Sequence, residues 1–296
     1  MEPLPVGAQA GSPPLAARLF RPADGQAPRA AVLVAAAMGA RQDFYAPFAA
    51  WLAAQGYLVA TFDYRGMGGS RAPGRSLRHE RADLFDWAAD TDRAIDALLA
   101  QAPAELPLYI VGHSLGAQLP GLLRHRDRVA GLLSVAAGSG YWRDNAPGLR
   151  RYVLFFWHVM VPTATTLFGY FPGRRLGAVG DLPRGVVLQW RRWCLNPEYH
   201  VGAEGEPVRE RFQAARFPVV ALSIDDDEMM TERGVRVLVD LYANAPSRLE
   251  RVAPADAAVR RIGHFGFFRD QFESTLWPRS LALLQGFGSS PQETSA

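Results

Sequence analysis

A serine hydroxyl becomes a useful nucleophile only when a base takes its proton and an acid orients that base. Ser114 lies in Gly112-His113-Ser114-Leu115-Gly116, between the apolar run Leu106–Val111, which has the character of a buried strand, and Ala117-Gln118-Leu119, which suits a helix. A G-x-S-x-G turn in that context forces the serine into a cramped corner that glycine neighbours alone permit, and leaves the hydroxyl above the sheet. The acid and then the base follow such a serine along the chain. His264, in the stretch Arg261-Ile-Gly-His-Phe-Gly-Phe-Phe268, comes after the last predicted strand and is the expected base. The other histidines fit less well: His79 and His125 lie in arginine-rich polar segments, His158 and His200 in the middle of the chain. His113, inside the elbow, cannot easily turn back onto Ser114. For the acid, the apolar segment 218–224 runs into Asp225-Asp226-Asp227-Glu228. Like charges there repel unless one meets a cation, which a protonated imidazole supplies. Asp227 is the expected partner, with Asp226 and then Asp225 as alternatives, and Glu228 reads as solvated.

The developing oxyanion needs two backbone N–H donors. Leu115 provides one, and the turn Ala36-Ala37-Met38-Gly39 the other, assigned to Met38 with one residue of register left open. Tyr45, His113, Trp157 and Phe168 are candidate substrate-contacting residues.

The elements that must hold these groups alternate. Strands are expected at 15–20, 31–35, 58–62, 106–111, 129–135, 218–224 and 249–253, and helices at 48–55, 83–100, after the elbow, and at 274–285. That order implies an α/β fold with a doubly wound, mostly parallel sheet. The alternation lapses between Tyr141 and Ala215, a stretch rich in Trp, Tyr and Phe. This predicts a core of residues 1–140 and 216–296 with an inserted helical cap at 141–215. Residues 152–171 are apolar, but His158, Pro162, three threonines and Gly169 argue against a membrane span. The tail from Gly288 reads as disordered.

Composition narrows the function. The 296 residues are 49% hydrophobic, enough for a large core. All 32 Lys-plus-Arg positions are arginine and the net charge is only +3, so a nucleic-acid partner is not expected. Cys194 stands alone, which excludes an intrachain disulfide and a multi-cysteine zinc site. The N-terminus lacks the basic start and apolar core of a signal peptide, so a cytoplasmic location is expected. Gly66-Met67-Gly68-Gly69 hints at a nucleotide loop, but Arg71 stands where the fingerprint needs glycine; a tight turn braced by Asp63 and Arg65 is expected instead. Asp83, Asp86, Asp90 and Asp92 lie on a helix with no coordinating loop, and read as a solvated face rather than a metal site.

The chain resembles the α/β-hydrolase superfamily, and within it a bacterial group of predicted hydrolases. The resemblance rests on the alanine-rich turn followed by Phe44-Tyr45, Phe-Asp-Tyr-Arg-Gly-x-Gly-x-Ser (62–70), Gly-Tyr-Phe-Pro (169–172), Trp-x-x-Trp-Cys (190–194), Asp-Asp-Glu (226–228) and Gly-His-Phe-Gly-Phe-Phe (263–268). It implies the α/β-hydrolase fold and a Ser114–Asp227–His264 triad without cofactor or metal. It leaves the substrate open, since fold alone does not fix function. The expected activity is hydrolysis of an ester or thioester of a small, largely apolar substrate. Acyl transfer by the same triad, or a non-catalytic binding protein on the same scaffold, remain alternatives. The expected partner is a small molecule, with no stable membrane insertion.

Overall fold

Strands that are apolar on both faces can be accommodated only in a sheet covered on both sides. A computed structural model, which describes residues 1–9 and 12–289, contains that sheet. Its strands are β1 (Glu2–Pro3), β2 (Ala17–Phe20), β3 (Ala31–Ala35), β4 (Leu58–Phe62), β5 (Leu108–His113) and β6 (Val129–Val135). After a separate hairpin of β7 (Tyr170–Pro172) and β8 (Asp181–Pro183) come β9 (Val219–Ile224) and β10 (Ser247–Val252). The sheet order is β1-β2-β4-β3-β5-β6-β9-β10; pairing is antiparallel as far as β4 and parallel from there on. The order reverses between β3 and β5, because the chain goes outward to β4 before it crosses back. Ligands of open α/β sheets bind beyond the strand C-termini at such a switch point.

The helices are α1 (Ala46–Ala54), α2 (Leu84–Leu99), α3 (Leu115–Gln118), α4 (Pro147–Phe155), α5 (Val161–Phe168), α6 (Arg184–Leu195), α7 (Tyr199–Glu204), α8 (Glu206–Ala214), α9 (Glu232–Asp240) and α10 (Leu276–Ser289). Helix α2 starts where Asp83 and Asp86 form a reciprocal capping box. Helix α3 is only one turn long, because Pro120 cannot continue its hydrogen-bond ladder and a 3-10 turn takes over. Helix α4, a π turn at Phe156–Met160 and α5 run on without a break, the widened turn standing just before Pro162, which has no N–H to donate. Gly169 closes this helix in the left-handed conformation.

Several expectations shift. The elbow strand extends two residues further than its apolar run, to His113, and the last helix reaches Ser289; the remainder of the expected disordered tail lies outside the described residues. Residues 141–215 contribute nothing to the eight-stranded sheet, but they are not wholly helical, since they carry the β7–β8 hairpin. The solvated aspartate face is a larger correction. Asp90 is fully buried, gripped by Arg65 and Arg93, and buried Asp92 accepts the backbone N–H groups of Arg124 and His125. A carboxylate can be buried at such positions when cations and N–H groups replace its water. Arg65 therefore ties the turn after β4 to α2, while Asp63 holds the same turn through Gln42 and Gly69.

Candidate functional site

Four connections converge above the C-terminal ends of the central strands, and each delivers one part of the site. Ser114 follows β5 with φ 50° and ψ −114°, a left-handed conformation that costs a non-glycine residue strain. Its N–H donates to the Val135 carbonyl at 3.0 Å. The flanking glycines are required by close approach: a Cβ at Gly112 would stand 2.6 Å from the Ala117 backbone, and one at Gly116 would stand 2.1 Å from the Ala35 oxygen. These contacts explain the G-x-S-x-G spacing sterically.

The loop after β9 settles its own charge crowding. Its four carboxylates have four different partners. Asp225 pairs with Arg251. Asp226 accepts the N–H groups of Ile262 and Gly263, and Glu228 accepts that of His264 and pairs with Arg261. Asp227, buried, uses Oδ1 for the N–H groups of Met229 (2.7 Å) and Met230 (2.9 Å). Its Oδ2 is left for His264 Nδ1, at 2.8 Å. Partial burial of Glu228 opposes its ionisation, but the N–H groups and Arg261 outweigh that and hold its carboxyl below the usual range. Glu228 is thus exposed, as expected, yet helps to fix the loop that carries His264. The sequence reading missed this role and that of Asp226; the run of acids ahead of a glycine-flanked histidine is the signal that carries both.

The turn after β3 spans Ala37 to Ala40, with Ala40 N–H donating to Ala37 O and Gly39 at φ +76°. That is the left-handed third position of a type II turn, and Met38 occupies the second, whose N–H has no acceptor in the turn. The N–H of Leu115, first residue of α3, likewise has no acceptor within its helix. Ala37 is already committed, donating to Tyr45 Oη at 2.9 Å.

Tyr45 and His113 are placed differently from the expectation that they touch substrate. Both are fully buried and lie outside the cavity lining. His113 Nε2 faces the His264 carbonyl at 2.9 Å, an acceptor, so Nε2 carries the proton. Burial, and then the neighbouring His264, push the His113 pKa well down, so the ring is neutral and its Nδ1 accepts from the Tyr45 hydroxyl at 2.8 Å. The result is a directed chain from Ala37 N–H through Tyr45 and His113 to the His264 backbone. It couples the turn after β3 to the loop that carries His264.

Ser114, His264, Met38 and Leu115 open onto one cavity of about 780 Å³. Trp157 is in its wall with Phe155, Phe156, Trp190, Met229 and Phe265; Phe168 is not, and is 42% exposed on the outer surface. Polar groups are few, chiefly Gln118 and Asn145, and among the described residues no Asp, Glu or Arg lines it. Such a space, apolar with a few polar groups, suits a small-molecule site. Among the described residues, no group of three or more His, Cys, Asp or Glu could hold a metal ion.

A profile of the serine aminopeptidase S33 family matches residues 26–180, more than half of the chain. The chain belongs to this family of α/β-hydrolases. A comparison with curated proteins gave no match. Among solved structures, the hydrolase is similar to a soluble variant of monoglyceride lipase from Saccharomyces cerevisiae in complex with a substrate analog. The two are 16% identical, with a TM-score of 0.66, covering 94% of this chain and 92% of that one. It is also similar to ferulic acid-bound Est1E from Butyrivibrio proteoclasticus, at 14% identity, TM-score 0.58 and 94% and 96% coverage. A third similar structure, from a study of the metagenome-derived lipolytic enzymes LipS and LipT, gives 18%, 0.57, 91% and 97%. At these identities the likeness is one of fold.

Proposed function

We propose that the protein is a serine hydrolase that cleaves a carboxylic ester or thioester of a small, largely apolar substrate through an acyl-enzyme at Ser114. The observation that carries this reading is the hydrogen bond between His264 Nδ1 and Asp227 Oδ2, on the same cavity wall as Ser114. With Nδ1 donating to Asp227, Nε2 is the free basic nitrogen. It takes the Ser114 proton as Oγ attacks the acyl carbon, and returns that proton to the departing alcohol or thiol. Water, deprotonated by the same nitrogen, then releases the acid. The N–H groups of Leu115 and Met38 stabilise the oxyanion in both steps. Residues 141–215 act as a cap over this chemistry, their aromatic side chains forming much of the wall.

The uncharged lining supports an uncharged acyl group over a substrate with a free ammonium, which would need a buried carboxylate beside it. Esters of p-nitrophenol and a fluorophosphonate probe provide the test. Wild type should hydrolyse the esters and be labelled at Ser114, and Ser114→Ala should lose labelling with kcat falling about a million-fold. Labelling that survives the substitution overturns the reading.

A further inference from the structure

Seven of the nine large apolar side chains exposed among the described residues fall between Tyr152 and Leu176. Scattered exposed hydrophobics need no explanation, but a concentration of them marks a contact surface. The continuous helix of residues 147–168 turns Val153, Trp157, Val161 and Ala164 inward. Its opposite face presents Tyr152, Phe155, Val159 and Leu167 at helical spacing. Charge points to what this face meets. From Asn145 to Gly180 there is no Asp or Glu, while Arg150, Arg151, Arg174 and Arg175 all lie there. All four are exposed, and the guanidinium groups of Arg151, Arg174 and Arg175 form no salt bridge among the described residues; Asp181 accepts only the backbone N–H of Arg174, at 3.1 Å. An amphipathic helix with an apolar outer stripe and unneutralised arginines suits an anionic lipid interface, lying in its plane rather than across it. No helix of the described residues is long and apolar enough to cross a membrane.

The same face carries the entrance to the cavity. Tyr152, Phe155 and Leu176 line the cavity and are also 70%, 57% and 40% exposed. We propose that the outer face of helix 147–168, with the Arg174–Leu176 turn, docks on an anionic bilayer, so that an amphiphilic ester passes from the lipid into the cavity mouth. The passage of substrate rests on the hydrolase reading; the docking does not.

The test uses full-length protein and sedimentation with vesicles of phosphatidylcholine alone or of equimolar phosphatidylcholine and phosphatidylglycerol. Binding should favour the anionic vesicles and weaken with salt. Arg151→Ala, Arg174→Ala and Arg175→Ala together should weaken it about a hundredfold, each contributing about fivefold. Val159→Glu with Leu167→Glu, at positions 46% and 71% exposed and outside the cavity, should abolish it. Thermal unfolding midpoints and Ser114 labelling should match wild type in both variants. Equal binding to the two vesicle types, or binding unaltered in both variants, overturns the docking surface. So does a dimer that the Val159→Glu/Leu167→Glu variant dissolves while vesicles remain unbound, since the face would then meet a second copy. Loss of Ser114 labelling in a protein that still binds vesicles overturns the hydrolase reading and leaves docking intact.

Discussion

Asp226 and Asp227 are adjacent carboxylates with opposite duties, and their hydrogen bonds explain the difference. Asp227 faces the imidazole with one oxygen while two backbone N–H groups hold the other, so its geometry is fixed before any charge develops. Asp226 grips only the backbone of Ile262 and Gly263. Asp227→Asn should therefore lower kcat about ten-thousand-fold, by favouring the wrong imidazole tautomer. Asp226→Asn keeps one acceptor oxygen and should cost far less. Parallel steady-state kinetics on one p-nitrophenyl ester measures both, and a larger loss at Asp226 would reverse the assignment. Tyr45 makes a second contrast. Tyr45→Phe strips the donor from His113 Nδ1 and the acceptor from Ala37 N–H, loosening the turn after β3 and the base loop together. Its kcat should fall by roughly ten- to a hundredfold with KM little changed, as for a misplaced catalytic group. A raised KM at constant kcat would instead make Tyr45 a substrate contact. Ser114, Asp227 and His264 could be picked out in the sequence because each sits next to a strand end and follows a fixed chain order. The Tyr45–His113 link could not, because it joins residues 68 and 151 positions apart through ring nitrogens whose direction no local pattern encodes.

At the scale of elements, strand and helix order was legible because apolar runs and 3.6-residue periodicity report burial directly. Asp90 escaped that logic, since its partner Arg65 lies 25 residues away and pairing reverses what charge alone implies about exposure. Phe168 shows the same limit: aromatic content marked residues 141–215 as a candidate wall, but not which side chains turn inward. Helix 147–168 places Trp157 in the cavity and Phe168 outside it. Each acyl methylene buried against such a wall contributes about 0.8 kcal/mol, or roughly fourfold in kcat/KM. Esters lengthened from about two to six carbons should therefore be hydrolysed with rising kcat/KM until the cavity fills. Trp157→Ala should flatten that trend while Ser114 stays labelled, and Phe168→Ala should leave it unchanged. A response to Phe168→Ala equal to that of Trp157→Ala would show that the wall closes differently in solution.

Two of the three buried histidines, His113 and His200, lie outside the cavity lining, and this sets how the stability of the whole molecule responds to acid. His200 is stacked on Phe212 beside Trp193 and Tyr199, and neither of its ring nitrogens finds a hydrogen-bond partner among the described residues. Burial pushes its pKa down to about 3, and His113 is also held well below the ordinary value of 6.5. Nothing in the sequence around His200 distinguishes it from a solvated histidine; its burial follows from how α6, α7 and α8 close on one another. A histidine whose folded pKa is depressed takes up a proton on unfolding once the pH drops below 6.5. Stability is thus full above the unfolded value and declines as pH falls from 6.5 toward the folded value. Each such group adds a slope of at most about 1.36 kcal/mol per pH unit. Glu204, Glu228 and Glu250, with carboxyls held below their usual range, lose their contributions only at more acidic pH. Asp92, raised by burial, works in the opposite sense. Comparison with His200→Phe, which keeps an aromatic ring against Phe212, cancels the carboxylates. Urea unfolding between about pH 6 and 5 should show the variant's loss of stability shallower than wild type's by about 1.4 kcal/mol per pH unit. An equal slope in both would mean that His200 takes up its proton in the folded protein, and that this end of the molecule admits water.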